Sequence, residues 1–197
     1  MSSALERRFL FGLTVKPSVE PIRVVVAGKC SAASTRTGVS ALHALTVGVI
    51  SDTHGLLRPQ AIDALRGSAH ILHAGDIGTP DILKKLTSIA PVTFVRGNVD
   101  REMWARGIPQ TQVVEIDGVS IYMLHILAEL DLKPEAAGFK VLVYGHSHLP
   151  SQSMKHGVLY FNPGSAGPRR FKLPVTVGKL MIENGSVRGE IIPISAT

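Results

Sequence analysis

The chain contains a single cysteine, Cys30, among its 197 residues, which excludes an internal disulfide. A lone cysteine also excludes the cysteine-rich sites that hold structural zinc. No apolar run approaches the ~20 residues that a membrane-spanning helix needs. No long apolar segment followed by a small-residue cleavage site marks a secretory signal. We therefore expect a cytoplasmic protein with no membrane partner.

Acidic residues are scarce at the start of the chain, and this scarcity explains most of the net charge of +6. Residues 1–44 hold six Lys or Arg against two acids, which leaves 15 basic and 13 acidic residues, a net of +2, in the remainder. The chain outside this segment lacks the basic stripe of a nucleic-acid-binding protein. Nucleic acid is therefore expected only as a substrate.

Residues 1–44 also differ in composition from the rest of the chain. They are rich in Ser and Thr, and Pro17 and Pro21 interrupt them. Only residues 22–27 have the pattern of a strand. The segment could be an added strand, an Arg- and Ser-rich targeting segment, or sequence upstream of the true start. We favour a leader that is disordered or not part of the core, followed by one domain over residues 45–197.

From residue 46, short apolar runs alternate with helical segments. Strands are predicted at 46–50, 69–74 and 91–96, with helices at 59–66 and 79–90 between them. This alternation predicts parallel βαβ units, whose ligand sites lie beyond the carboxyl ends of the strands.

The second half of the chain has the pattern of hairpins instead. Asp117-Gly118, His156-Gly157 and Asn184-Gly185 each separate two apolar runs, as two-residue hairpin turns do. A βαβαβ half followed by hairpins predicts an α/β fold in which two sheets pack face to face with helices outside.

Seven side chains suited to metal ions stand at the ends of the predicted strands. They are Asp52, His54, Asp76, Asn98, His125, His146 and His148. A folded sheet would bring all of them to one edge. Three oxygen ligands and four imidazoles exceed what one small cation can bind, so the pattern predicts two adjacent cations that share a carboxylate.

Each of these motifs also has a plainer interpretation. Asp-x-His triplets such as the one at Asp52 are common, and Asp76 or Asn98 could cap a loop or occupy a turn. His146 and His148 could belong to a turn with satisfied histidines. Four such groups, each at the end of its own strand, are hard to explain as caps.

The motifs resemble, in order and approximate spacing, those of the calcineurin-like metallophosphoesterases, and within them the small bacterial and archaeal phosphodiesterase group. The resemblance runs from about residue 46 to the end of the chain. It rests on Ser51-Asp52-Thr53-His54-Gly55, Gly75-Asp76, Gly97-Asn98-Val99-Asp100, His125, Gly145-His146-Ser147-His148 and Asn162-Pro163-Gly164-Ser165.

The resemblance implies a four-layer αββα sandwich, made of two mixed β-sheets flanked by helices, with a dinuclear metal centre. The implied ligands form two sets joined by one bridging carboxylate: Asp52, His54 and His148; Asn98, His125 and His146; and Asp76 between them. The implied activity is phosphodiester hydrolysis by attack of a metal-bridging hydroxide, with catalytic roles for Asp76, Asn98 and His125. These ligands suit Mn²⁺, which we favour, and also Fe, Zn²⁺ or Ni²⁺.

Two positions depart from the family pattern. Many relatives carry His directly after the Asn, where it can protonate a leaving group, whereas this chain has Val99. The loss of such an acid favours phosphodiesters with acidic leaving groups. Many relatives also follow the ligand His with Gly, whereas Ile126 follows His125 here, which makes His125 the least secure ligand.

Other residues carry weaker signals. Arg169 and Arg170 are expected to bind a substrate phosphate together with Asn98, or else to form a solvated basic loop. Asp100 is expected to hydrogen-bond a ligand imidazole, and capping of the following segment is equally consistent. His73 follows no ligand spacing and is expected to point into the helix layer.

The main alternative to an enzyme is a scaffold on the same fold. The small subunit of eukaryotic retromer resembles this family but uses the fold for protein contacts, with an incomplete metal site. Here all seven positions keep side chains competent to bind metal, and this favours catalysis. A small phosphodiester is the expected substrate, and the exposed edges of the hairpins suggest a homodimer.

Overall fold

A computed structural model describes residues 21–24 and 44–194, which form two β-sheets packed face to face. The strands are β1 (Ile22–Val24), β2 (Leu45–Ile50), β3 (His70–His73), β4 (Val92–Phe94), β5 (Thr111–Ile116), β6 (Val119–Leu124), β7 (Val141–Val143), β8 (Ser151–Lys155), β9 (Val158–Asn162), β10 (Thr176–Glu183) and β11 (Ser186–Pro193). The helices are α1 (Pro59–Leu65) and α2 (Pro80–Thr87), and short 3₁₀ turns span Met103–Ala105 and Leu127–Glu129.

The first sheet has five strands in the order β11-β10-β2-β3-β4, and its β2, β3 and β4 are parallel. Helices α1 and α2 connect these three strands, and each begins with a proline, whose fixed φ suits the first helical turn. Ile82 and Leu86, one turn apart on α2, are buried against the sheet. The predicted βαβαβ half is confirmed, and its strands end at one edge.

The second sheet has six strands in the order β1-β5-β6-β7-β9-β8. Strands β5 and β6 form the predicted hairpin, in which Asp117 and Gly118 have φ values of 48° and 74°. Both values are left-handed, as a two-residue turn matched to the twist of the strands requires. The hairpins at His156-Gly157 and Asn184-Gly185 are confirmed in the same way. Strands β6 and β7 are parallel, so they too end at one edge.

The largest part of the core lies between the two sheets. Val49 and Leu72 of the first sheet are fully buried in one cluster with Ile121, Val143 and Phe161 of the second. Fully burying a side chain of this size stabilises the fold by about 1.5–3 kcal/mol. A second cluster joins the first sheet to α1 and α2. The packing of two sheets and a helix layer confirms the predicted fold class.

The outer face of the six-stranded sheet is covered differently from the first. Tyr122, Leu124 and Leu142 pack there against the 3₁₀ turn Leu127–Glu129 and the loop that follows it, with no α-helix among the described residues. This loop contains Pro134 and ends in turns, so it supplies a thin outer layer in place of the expected helix.

Part of the predicted leader belongs to the fold. Ile22–Val24 pairs in parallel with β5, with Ile22 opposite Val114, and adds an edge strand to the six-stranded sheet. Residues 1–20 and 25–43, which include the rest of the predicted strand, lie outside the described residues. The division at residue 44 therefore stays a prediction. Neither described helix is long and apolar enough to cross a bilayer.

Candidate metal centre

The seven predicted ligands all lie in loops that directly follow strands. Those after β2, β3 and β4 come from the five-stranded sheet, and those after β6 and β7 come from the six-stranded sheet. Because these strands end at the same edge of the sandwich, their loops converge. The structure brings the seven side chains together there.

Three of them form a first group at the end of the sandwich. Nε2 of His148 lies 3.2 Å from Oδ1 of Asp52 and 3.1 Å from Nε2 of His54. The three ligand atoms all lie within 4.8 Å of one another, close enough to hold one metal ion. The two imidazole rings stack with centroids 5.1 Å apart.

A second group of three lies beside the first. It consists of Asp76, His125 and His146, whose ligand atoms also lie within 4.8 Å of one another. Nε2 of His125 is 3.3 Å from Oδ2 of Asp76. Oδ1 of Asn98 lies 2.9 Å from Nδ1 of His146, which adds an amide oxygen to this group.

Asp76 stands between the two groups. Its Oδ2 lies 3.3 Å from His125 in the second group and 3.8 Å from Nε2 of His54 in the first. One carboxylate oxygen therefore reaches ligands on both sides. Its other oxygen, Oδ1, accepts a hydrogen bond from the backbone N–H of Val99, which fixes the orientation of the carboxylate.

The backbone of the ligand loops is left-handed at five of the seven positions. The φ values are 54° at Asp52, 45° at His54, 55° at Asp76, 69° at His146 and 57° at His148. This conformation costs a residue other than glycine about 1–2 kcal/mol. Such outliers cluster at functional sites, where surrounding structure holds them in place. The left-handed backbone therefore lowers the stability of the fold, and it directs these side chains toward one point.

The donor chemistry of both groups suits divalent cations. Oδ1 of Asp52 and Nε2 of His125 are buried and take part in no well-formed hydrogen bond, although Nε2 of His148 lies 3.2 Å from the first atom and Oδ2 of Asp76 lies 3.3 Å from the second. A buried polar atom outside a well-formed hydrogen bond normally costs about 1–3 kcal/mol, and a bound cation would satisfy both atoms. Imidazole nitrogens combined with carboxylate and amide oxygens fit borderline divalent metals. The residues present therefore fit a metal-binding role.

The carboxylate and imidazoles of the centre shift one another's ionisation. Burial acts to raise the pKa of Asp76, but its interactions with His125, with the Val99 N–H and with His54 outweigh burial and lower that pKa. Burial acts to lower the pKa of His125, and the Asp76 carboxylate outweighs it, so that pKa is raised. Burial lowers the pKa of His54, although Asp76 and Asp52 oppose the effect. The Asp76 carboxylate and the His125 imidazole therefore stabilise each other's charged forms.

Asp100 joins the loops that carry the ligands. Its carboxylate accepts hydrogen bonds from the backbone N–H groups of Ile77 at 3.1 Å, Gly78 at 2.9 Å and Gly97 at 2.9 Å. The structure therefore places Asp100 against backbone amides, and not against a ligand imidazole as expected. It ties the loop after β3, which carries Asp76, to the loop after β4, which carries Asn98.

Several buried polar residues support the ligand loops, a role that the sequence did not predict for them. His73 is fully buried, and its Nε2 lies 3.0 Å from Oγ1 of Thr53, while its Nδ1 accepts a hydrogen bond from the Gly75 N–H. Ser51 donates to Oδ2 of Asp52 at 2.7 Å. Asn162 donates to the carbonyl of Gly145 at 3.0 Å. All three fall at the end of a strand, and Ser51 and Asn162 also belong to the motifs that carry the family resemblance.

Gly97 allows two ligand loops to approach each other. A Cβ atom at this position would collide with the carboxylate and the backbone nitrogen of Asp76. Only glycine therefore lets Asp76 occupy its place beside Asn98.

The two predicted substrate-binding arginines differ in placement. Arg170 lies with a terminal guanidinium nitrogen 3.4 Å from Nε2 of His54, at the mouth of the first group. Arg169 is exposed, and its Nε donates to the carbonyl of Leu173 within its own loop. The structure therefore brings Arg170 to the centre. The hydrogen bond of Arg169, by contrast, lies within its own loop. Ile126 is partly buried beside His125, which keeps its position in the second group.

Comparison with known proteins agrees with this geometry. Residues 45–185 match the family model of the calcineurin-like phosphoesterase superfamily domain. The chain is 35% identical over 164 residues to a "Probable metallophosphoesterase" of Methanothermobacter thermautotrophicus, covering 77% of this chain and 94% of that protein. It is 31% identical over 163 residues to a second protein so named, from Methanocaldococcus jannaschii, covering 76% and 82%.

Solved structures share the fold. One described as a novel archaeal phosphodiesterase aligns with a TM-score of 0.63 and 24% identity, over 75% of this chain and all of the other. Vacuolar protein sorting 29 from Cryptosporidium parvum aligns with a TM-score of 0.61 and 19% identity, over 77% and 98%. At these identities the likeness shows the fold alone. The family model and the two archaeal relatives go further: the chain belongs to the calcineurin-like phosphoesterase superfamily, and they support a metal-dependent phosphoesterase.

Proposed function

We propose that this protein is a dinuclear metal-dependent phosphodiesterase. The observation that carries the proposal is the position of Asp76, whose Oδ2 lies within 4 Å of imidazole nitrogens from both ligand groups. A single carboxylate between two groups of nitrogen and oxygen donors is the arrangement that two-metal hydrolytic sites use.

The proposal assigns seven ligands. Asp52, His54 and His148 would hold one cation, and Asn98, His125 and His146 the other, with Asp76 shared. When bound, two divalent cations supply Lewis-acid activation of water and neutralise charge at phosphorus. Mn²⁺ is our preferred ion for this donor set.

Other groups of the site would position the substrate or hold the ligand carboxylates in place. The guanidinium of Arg170, 3.4 Å from His54, would bind a phosphate oxygen at the mouth of the site. Asn98 is exposed to solvent beside His146, so its amide can also contact the substrate. The hydrogen bonds of Asp76 and Asp52 to backbone N–H groups hold both carboxylates in place before substrate arrives.

The proposed preference for diesters follows from Val99, the apolar residue that comes directly after Asn98. Val99 is 44% exposed there and offers no proton to a departing alkoxide. The loss of a general acid typically costs about 10²–10⁴-fold for a poor leaving group. Diesters with acidic leaving groups should therefore react best.

One assay tests the function. Metal-free protein would be reconstituted with Mn²⁺ or Ni²⁺ and assayed with bis-p-nitrophenyl phosphate and p-nitrophenyl phosphate, which share a leaving group. We expect metal-dependent cleavage of both and faster cleavage of the diester. If the folded protein cleaved neither substrate, the enzyme hypothesis would be refuted and a scaffold role would be favoured. Faster cleavage of the monoester would remove the substrate preference alone.

A further inference from the structure

Exposed apolar residues lie close in sequence to several residues of the metal centre. Seven large hydrophobic residues are exposed in the described part of the chain, and four of them lie within two residues of a ligand or of Arg170 in the sequence. We call these four the apolar rim: Leu56 (40% exposed), Val99 (44%), Leu149 (53%) and Phe171 (93%).

Each rim residue is tied to the centre by chain position. Val99 directly follows Asn98, and Leu149 directly follows His148. Leu56 comes two residues after His54, and its backbone N–H donates to the carbonyl of Thr53 at 2.8 Å, which holds it in the same tight loop.

Phe171 has the most exposed side chain of the rim and follows Arg170, whose guanidinium reaches His54. Its φ is 54°, a left-handed value that a bulky side chain rarely adopts. The arginine that reaches His54 and an exposed aromatic residue therefore occupy adjacent positions in the chain.

We propose that the apolar rim binds an aromatic group on the ester oxygen that is not cleaved. This inference rests on the proposed phosphodiesterase function. A phosphodiester seated at the ligands has one substituent that leaves and one that stays, and both must extend outward over the loops. Apolar side chains around polar ligands are typical of sites that bind amphipathic molecules. Phe171 offers a ring face for stacking, and Leu56, Val99 and Leu149 offer apolar surface.

Substrates that differ only in the retained group test the rim. Methyl p-nitrophenyl phosphate and phenyl p-nitrophenyl phosphate release the same p-nitrophenolate, so the leaving group is constant. The ratio of kcat/KM for the phenyl ester to that for the methyl ester would be measured in the Mn²⁺-loaded wild type and in two variants, Leu149→Ser and Phe171→Ser. Dividing the ratio of the wild type by that of a variant cancels the intrinsic reactivity of the two esters.

We expect the phenyl-to-methyl ratio to fall about threefold to tenfold in each variant, as the loss of apolar contact predicts. Met154→Ser is the matched control, because Met154 is 62% exposed on β8, away from the ligand loops. It should leave the ratio unchanged. An equal ratio in the wild type and both rim variants would overturn the proposal. Absence of turnover of both esters by the wild type would instead show that the proposed function has failed.

Binding without chemistry gives a second readout. Calorimetric titration with phenylphosphonate and methylphosphonate, neither of which is cleaved, should show the phenyl preference in the wild type and its reduction in Phe171→Ser. Sedimentation velocity addresses the other occupant that an apolar rim could have, a second copy of the chain. A wild-type dimer that dissociates in Phe171→Ser would overturn the substrate proposal in favour of self-association.

Discussion

Oδ2 of Asp76 lies 3.8 Å from Nε2 of His54, although the two residues belong to different ligand groups. This relationship makes Asp76 the residue whose loss should affect both groups at once. Replacing Asp76 with Asn keeps the size of the side chain and removes its charge. We expect Mn²⁺-dependent diester cleavage to fall by more than about 100-fold, beyond what the loss of an outer partner of a metal ligand costs.

Asp81→Asn is the control for that substitution. Asp81 is an exposed carboxylate on α2 that pairs with Lys84 at 3.0 Å, and exposed pairs of this kind contribute about 0–1 kcal/mol. Its replacement should leave turnover unchanged. Retained activity in Asp76→Asn, with bound metal confirmed by elemental analysis, would refute the bridging role.

Asp100 should matter to stability and to metal affinity together. Asp100→Asn places an amide N–H₂ against donors that now bond a carboxylate, so at least one backbone N–H in the centre loses its acceptor. We expect the free energy of unfolding, measured in urea, to fall by about 1–3 kcal/mol and Mn²⁺ affinity to fall about 10–100-fold. A variant with normal stability and normal affinity would show that the loops after β3 and β4 hold their positions without it.

Two glycine substitutions test whether the close contact between Gly97 and Asp76 is required for metal binding. Gly97→Ala puts a Cβ atom into the carboxylate of Asp76, so we expect metal affinity and turnover to be lost. Gly107→Ala meets no atom within 4 Å, and its φ is not left-handed. It should keep full activity and gain about 0.4–1 kcal/mol of stability from the restricted unfolded chain. Equal metal affinity in the two variants would contradict the packing described for Asp76.

Stability should depend on pH through His73. Burial lowers the pKa of His73 from 6.5 to about 4. Below pH 6.5 His73 therefore binds a proton in the unfolded chain but not in the folded chain. The free energy of unfolding falls for this reason as the pH falls toward 4. The expected loss is about 2.5 kcal/mol between pH 7 and pH 4.5.

The measurement is urea unfolding of metal-free protein at the two pH values. His73→Gln removes the titrating group and keeps a side chain able to hydrogen-bond Thr53. All other titratable groups are the same in both proteins, so the difference between them isolates His73. The stability advantage of the wild type should shrink by the stated amount at pH 4.5. A constant difference would mean that His73 does not titrate in this range.

Much of the fold followed from local sequence signals. The strands β2, β3 and β4 and the hairpin turn at Asp117-Gly118 were predictable because apolar periodicity and turn chemistry act over a few residues. Strand β1 was harder to assign, since a strand of three residues depends on its partner β5, which lies far along the chain. The thin layer over Tyr122 and Leu142 also depends on tertiary packing that no local pattern reveals.

The same distinction applies to the candidate centre. The seven side chains were found because each follows a strand, and strand ends meet at one edge. Asp100 was expected either to bond a ligand imidazole or to cap the segment after it, and it accepts instead from three backbone amides, whose positions the sequence does not show. Arg169 and Arg170 are neighbours of identical chemistry, and only the loop conformation decides which one reaches His54.

The metal stoichiometry of the intact protein tests the central claim most directly. Metal-free wild type would be titrated calorimetrically with Mn²⁺, and the content of the loaded protein would be determined by elemental analysis after gel filtration. We predict two ions per chain, because the ligand atoms form two groups with Asp76 between them. One ion per chain in folded protein at saturating Mn²⁺ would contradict the dinuclear account.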